Sequence, residues 1–191
     1  MRPGRPRDSS LDARILATTR DLLATHGYAG TSISKVAEAA GTTRPSIYLR
    51  WPTKEDLVTA AIADLPLALP LPRTDDVHAD LLAELRHFHA AITRPNGMSL
   101  VGTVLAEEFT TPSLIERFRE RLIIPRRSRL SDLLKRGITL GVLRDDLDID
   151  MATHLLIGGF YARYLETSDI PPDWPERTLA ALWPALTPNT R

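Results

Sequence analysis

Five side chains able to hold an anion or a base edge stand close together in the first third of this chain: Arg44, Ser46, Tyr48, Arg50 and Lys54. A guanidinium offers a fork of donors that matches a phosphate, or the O6 and N7 acceptors of guanine. Hydroxyls add single hydrogen bonds, and an ammonium adds a point charge on a flexible stem. This is recognition chemistry rather than bond-breaking chemistry. Other candidates are thinner. Glu84-x-x-His87 places a carboxylate and an imidazole on one helix face, the spacing of a di-iron bundle. Such a centre needs a second Glu-x-x-His and two further glutamates, and the chain has no second copy. There is no Gly-x-Ser-x-Gly elbow, no His-Glu-x-x-His and no glycine-rich phosphate loop. Cysteine is absent, which removes disulfides, thiol nucleophiles and Cys-ligated metals. The expectation is a protein that is not an enzyme and uses no metal and no cofactor.

The elements that must position these residues are helices. Apolar residues recur at helical spacing throughout the 191 residues, and no period-2 run persists, so the fold class expected is all-α with about nine helices. Ser9 or Ser10 caps a first helix with the stripe Leu11, Ile15, Leu16, Leu22 and Leu23, and Gly27 stops it. Thr31 or Ser32 caps a short second helix that Gly41 ends. Thr42 or Thr43 caps a shorter third, with Pro45 in its first turn, where a missing N–H costs nothing. Pro52 stops that helix; Tyr48 and Trp51 must pack it down, or a phosphate must hold it. Thr53-x-x-Asp56 reads as the capping box of a fourth helix. Prolines at 66, 70 and 72 mark a linker. Beyond it lie a helix carrying Val77 to Ile92 and one from about Met98 to Phe109. A long helix opened by Pro112 and the box Ser113-x-x-Glu116 follows, with Pro125 expected to kink or break it. Asp150 caps a helix to Thr167, and a last one carries Leu179, Leu182, Trp183 and Leu186. No apolar run approaches the ~18 residues of a membrane span. The start Met-Arg-Pro-Gly-Arg-Pro-Arg lacks the apolar stretch of a secretory signal. A cytoplasmic protein with no membrane partner is expected.

Formal net charge is zero, but it is unevenly spread: nine basic residues face six acidic ones up to Val58. The second and third helices are joined by Ala40-Gly41-Thr42, a tight glycine turn. That is a helix-turn-helix pattern, in which the second helix must project from a small rigid body into a groove ~12 Å wide.

The run from Tyr28 to Leu57 resembles the N-terminal domain of the tetracycline-repressor (TetR) family. The matching features are the aromatic after the helix-one glycine, the Thr31-Ser32 cap, Val36-Ala37, Ala40-Gly41, Ile47-Tyr48, and Lys54 opening the fourth helix before Leu57. A looser likeness to one subgroup of C-terminal domains runs through Phe118-Arg-Glu-Arg, Pro125-Arg-Arg and Gly141-Val-Leu-Arg-Asp-Asp-Leu147. The resemblance implies a basic flexible arm (1–8), a DNA-binding head (9–52) and an effector-binding and dimerisation domain (53–191), with residues 53–66 as the connecting helix. It implies a homodimer that binds a near-palindromic double-stranded operator and is released by a small-molecule effector. Activators share the pattern, since the sign depends on where the operator lies. A helical protein-interaction module is the alternative without DNA.

Carried over residue by residue, the DNA-facing set is Thr31, Ser32, Ser34, Thr43, Arg44, Pro45, Ser46, Tyr48, Leu49, Arg50 and Lys54. Arg44 and Ser34 fall at base-facing positions, and Ser46, Tyr48 and Lys54 at phosphate-facing ones. Arg5, inside Gly4-Arg5-Pro6, is similar to minor-groove hook segments; the arm is expected either in that groove or as a floppy solubilising tail. The resemblance places an effector cavity among the middle helices. The expected lining is Phe88, His89, Met98, Phe118, Leu122 and Tyr161, and the expected effector apolar or aromatic. The run Leu155–Tyr161 is apolar nearly all round, so it is buried on a second side. The residues alone leave that side to an intrachain core or to a partner; the resemblance implies a partner copy, with a dimer seam of Leu155, Gly158, Gly159, Ala162, Leu179, Leu182 and Trp183. Effector binding is expected to shift the fourth helix and swing the head.

Overall fold

The computed structural model describes residues 9–63, 71 and 73–188. The arm with Arg5, and most of the proline linker, lie outside the described residues. The helices are α1 (Ser9–Gly30), α2 (Ile33–Ala39), α3 (Arg44–Tyr48), α4 (Lys54–Ala63), α5 (Val77–Ile92), α6 (Gly97–Ala106), α7 (Pro112–Phe118), α8 (Ile124–Thr139), α9 (Ile149–Thr167) and α10 (Trp174–Leu186). A π-turn, Arg119–Ile123, joins α7 to α8. With the unbroken run 112–139 counted once, nine helical elements and no strand lie among the described residues.

The packing forms two compact units, and neither is a single stretch of sequence. Among the described residues, 9–63 and 95–122 make the first, and 71, 73–94 and 123–188 the second. In the first unit α1 packs on α2, α4 and α6, and α7 packs on α4 and α6. The head's core is Ile15 and Leu16 from α1, Ile33, Val36 and Ala37 from α2, Ile47 from α3, and Leu57 and Ala61 from α4. In the second unit α5, α8, α9 and α10 surround Leu81, Leu85, Phe88, Leu134, Leu143, Leu156 and Phe160. Its centre is aromatic. Phe88 meets Phe160 edge-on with centroids 5.1 Å apart, and Phe160 meets Trp174 at 5.4 Å.

Glycine punctuates the chain where the sequence places it. Gly27 sits at φ 68, ψ −177, a region that side chains with a Cβ avoid, and it breaks α1 before Tyr28. Gly41 (φ 61) closes α2: Thr42 donates to Ala37 O at 2.9 Å and Gly41 to Glu38 O at 3.1 Å, a Schellman close. Two local expectations are corrected, and one of the two outcomes expected at Pro125 is removed. Asp148, not Asp150, caps α9, because its carboxylate accepts from the Met151 amide at 3.0 Å. The box at Ser113 does not form: α7 starts at Pro112 after Thr111, with no side-chain cap. Pro125 does not break the long helix. Proline has no N–H to give and its ring crowds the carbonyl four residues back, here Arg121; the wider π-turn just before it accommodates both.

Gly27 has no neighbour that a methyl group would strike, so Gly27→Ala isolates backbone strain. It should lower stability by about 1–3 kcal/mol, read as a lower urea midpoint with an unchanged slope. An unchanged midpoint would show that this turn relaxes freely.

Candidate nucleic-acid interface

Helix α3 has five residues, too few to persist unaided. Its neighbours hold it at both ends. At the N-terminus Thr43 is extended (φ −108, ψ 150), and its hydroxyl accepts from the Ser46 amide at 3.4 Å. Pro45 supplies a preset φ. Ile47 is fully buried in the head's core. At the far end the Arg50 guanidinium pairs with Asp12 of α1 and donates to Ser46 O at 2.8 Å and Ser46 Oγ at 3.1 Å. Arg14 donates to Ala40 O at 2.8 Å, which ties α1 to the turn before α3.

What remains outward on α3 is the surface that can touch a partner. Arg44 and Pro45 are exposed, Tyr48 is 45% exposed and Leu49 is 83% exposed. Ser32 and Ser34 are exposed on α2, where Ser32 caps the helix by accepting from the Lys35 amide at 3.3 Å. Tyr48 therefore does not anchor α3; Trp51, half-buried against the head's core, takes that role.

Other expected contact residues are engaged inside the protein. Thr31 is buried, and its hydroxyl donates to Gly27 O at 2.8 Å. Lys54 lies over the Tyr28 ring, 3.8 Å from its centroid, and donates to Tyr28 O at 2.6 Å. Burial lowers the Lys54 ammonium from the usual lysine value, against the opposing charges of Glu107 and Glu55. The Tyr28 hydroxyl donates to Glu55 Oε1 at 2.9 Å, and burial with that bond raises the phenol. Thus the first turn of α4 is pinned to the residues just after Gly27. The sequence hinted at this through Tyr28 and Lys54, but assigned the lysine outward.

Farther along, α4 is held by α7. The box Thr53-x-x-Asp56 forms, with Asp56 N donating to Thr53 Oγ1 at 3.0 Å, and Arg117 pairs with Asp56. Glu84, of the Glu-x-x-His87 pair, is buried and accepts from Arg129 Nε at 3.2 Å. No group of three metal-ligating side chains occurs among the described residues.

The expected effector-lining residues divide between the units. Met98, Phe118 and Leu122 belong to the first; Phe88, His89 and Tyr161 belong to the second. Phe88 is core, and His89 stacks on Trp174 at 6.3 Å. Tyr161 lines a cavity of about 250 Å³ between α8 and α9, together with Ile123, Arg126, Leu130, Ile157 and Gly158. Of the expected dimer seam, Leu155, Gly158, Gly159 and Ala162 are exposed on α9, and Leu182 and Trp183 are half-buried. Leu179 is 1% exposed and is part of its own chain's core.

Glu55 provides a check on the pin. Its carboxylate accepts from its own backbone amide, and this bond outweighs burial; with the Tyr28 and Thr53 hydroxyls and the Lys54 charge it lowers the carboxyl's pKa. A carboxyl whose folded value lies below its unfolded one adds stability above the ordinary range, ~4.3 for Glu, and loses it as pH falls through the folded value. Between about pH 5 and pH 3 the urea midpoint should fall, and fall less steeply in Glu55→Gln. Parallel slopes would show that Glu55 does not hold α4.

Comparisons with known proteins agree with this arrangement. Residues 15–61 match the family model of bacterial regulatory proteins of the tetR family, and residues 71–182 match that of the tetracyclin repressor-like C-terminal domain. The HTH-type transcriptional regulator YdeS of Bacillus subtilis is 31% identical over 170 residues, covering 87% of this chain and 84% of that protein. The crystal structure of the TetR family transcription regulator SCO0332 superposes with a TM-score of 0.69 at 26% identity, covering 94% of this chain and all of that one. FadR of Bacillus subtilis, a transcriptional regulator solved with stearoyl-CoA, shares the fold: TM-score 0.71, 18% identity, 89% of this chain and 96% of that one. A pinned helix-turn-helix with an outward α3, followed by a helical C-terminal domain, both matched along their length, places this chain in the TetR family of helix-turn-helix transcriptional regulators, DNA-binding proteins rather than enzymes.

Proposed function

We propose that this protein is a cytoplasmic, homodimeric repressor that binds a near-palindromic operator and is released by a small-molecule effector. The observation that carries this reading is the outward face of α3. Arg44, Pro45, Tyr48 and Leu49 are presented to solvent on a helix whose other side is locked into a rigid body. Exposed leucine and tyrosine beside an exposed arginine cost solubility unless they meet a partner, and an arginine fork suits a guanine edge in the major groove. Arg44 and Ser34 are assigned to bases. Ser46, Tyr48 and the start of α4 at Lys54 are assigned to phosphates, with Lys54 acting through its helix N-terminus while its ammonium holds Tyr28. Arg50, engaged by Asp12, is assigned to orienting α3. Arg5 is assigned to the adjacent minor groove.

Two copies are brought together through α9. Its exposed strip of Leu155, Gly158, Gly159 and Ala162 continues to Leu165, which is 84% exposed. Two glycines in a helix interior cost about 1 kcal/mol each against alanine, and a close helix crossing offsets that. The half-buried Leu182 and Trp183 of α10 complete the seam. The effector occupies the second unit, where α8 and α9 enclose the cavity beside Tyr161. Chain continuity links that site to the head: α8 follows α7 through the π-turn, and α7 holds α4 through Arg117 and Asp56. A ligand that displaces α8 thereby shifts α4 and the spacing of the two α3 helices. A coupling of about 1–3 kcal/mol changes operator affinity 5–150-fold.

Selection of bound duplexes from a random pool at two salt concentrations tests the reading. A near-palindrome should emerge, with log affinity falling by roughly 0.9 per phosphate neutralised for each unit of log salt. Arg44→Ala should cost about 1–3 kcal/mol on the selected site and relax preference at one base pair per half-site. No enrichment by a folded protein would exclude sequence-specific binding. For the seam, Leu155→Glu should yield monomers in sedimentation velocity with the far-UV spectrum retained; a persistent dimer would move the interface elsewhere.

A further inference from the structure

The second unit buries an arginine without burying an anion for it. Arg126 of α8 is 7% exposed. Its guanidinium carbon lies 4.7 Å from the centroid of the Phe88 ring, and it makes no ion pair with any described residue. Its neighbours on the same helix differ. Arg127 pairs with Asp150, Arg129 with Glu84, and Arg136 with Asp80 at 2.9 Å. Asp150, Glu84 and Asp80 are thus each held by an arginine other than Arg126. Arginine cannot shed its proton at any pH the protein meets. The guanidinium meets the Phe88 ring and gives its donors to no described acceptor. Its nitrogens are not sealed from solvent but open on the adjoining cavity, whereas charged groups on a largely buried residue are normally paired.

Arg126 lines the cavity of about 250 Å³ between α8 and α9. Apolar walls come from Ile123, Leu130, Ile157 and the Tyr161 ring, while Arg127 and His154, also in the lining, are both held by Asp150. The Thr153 hydroxyl, also in the wall, is turned to Ile149 O at 2.7 Å. The cavity is larger than the ~150 Å³ that accommodates benzene. It therefore suits a body of roughly eight to ten non-hydrogen atoms with a single anionic end.

We propose that this cavity is a carboxylate site, in which Arg126 clamps the head of a small monocarboxylate, aromatic or medium-chain, while the α8 and α9 side chains enclose its apolar body. A carboxylate, rather than a phosphate, fits because one guanidinium fork matches its two oxygens and its single charge, and no second unpaired cation lines the cavity. The sequence reading anticipated an apolar effector; Arg126 adds the charged end and makes the ligand an amphiphile. The proposal rests on the effector role assigned to this unit, and it is tested separately from that role.

Full-length protein is titrated calorimetrically, without DNA, with benzoate and octanoate and with their neutral counterparts benzyl alcohol and 1-octanol. At least one carboxylate should bind saturably, and its alcohol at least tenfold more weakly. Arg126→Gln should weaken the carboxylate roughly 10- to 100-fold while leaving the alcohol unchanged. Because that variant also removes the guanidinium from the Phe88 ring, the wild-type protein supplies an independent readout: the Arg126 Nε–H resonance should move on carboxylate addition and stay put with alcohol. Carboxylates and alcohols binding alike, neither binding, or a static Arg126 resonance would each overturn the proposal. Operator release is measured alongside. Carboxylate binding that leaves DNA bound would preserve the site and remove its effector role; sequence-specific DNA binding without carboxylate binding would preserve the regulator and remove the site.

Discussion

A five-residue helix cannot hold its shape in water, and the first unit is organised around that constraint. Nucleating a helix fixes several residues for a single hydrogen bond, so α3 must draw its order from outside. It does so through one buried side chain, Ile47, and one ion pair, Asp12 with Arg50. The ion pair lies at the C-terminal end of α3, where a cation is favoured by the helix dipole, and it anchors α3 to the long helix α1. Everything facing away from that anchor is free to meet another surface. The rigidity of the head and the exposure of Arg44, Tyr48 and Leu49 are thus two sides of one arrangement.

The same economy governs the junction of α4 with α1. Breaking α1 at Gly27 turns Tyr28 inward, where its carbonyl and ring receive Lys54 and its hydroxyl meets Glu55. Two adjacent residues of α4 therefore grip one tyrosine, and Asp56, the next residue, is gripped by Arg117 of α7. Three consecutive polar residues at a helix start carry contacts to two different helices. Any shift of α4 must disturb this set.

The second unit is stabilised differently. Its aromatic centre of Phe88, Phe160 and Trp174 is surrounded by arginine–carboxylate pairs along α8. Each pair closes one element onto another: Arg136 onto Asp80 of α5, Arg129 onto Glu84 of the same helix, Arg127 onto Asp150 of α9. Arg126 breaks the pattern: it pairs with no described carboxylate and lines the cavity between α8 and α9, beside the paired Arg127. That unpaired charge at a hollow is the feature on which the proposed carboxylate site rests.

Local sequence settled the helices and most of their ends, because caps and stops act within a few residues. Gly27, Gly41 and Gly141 take positive φ, and Ser32, Thr43 and Thr53 accept from amides three residues on. It also settled the helix-turn-helix, whose motif is contiguous. It misjudged Asp150, Ser113 and Tyr48, since neighbouring residues compete for one cap and burial is decided by what packs opposite. Only tertiary structure could show that Lys54 turns back to Tyr28, that Arg50 finds Asp12, that Leu179 faces its own core and that Arg126 is buried unpaired. In each case the deciding partner lies on another helix, or at least a full helical turn away. Spacing along one chain reports the periodicity of an element, whereas the fate of a long charged side chain depends on which carboxylates, carbonyls and rings the fold brings within its reach.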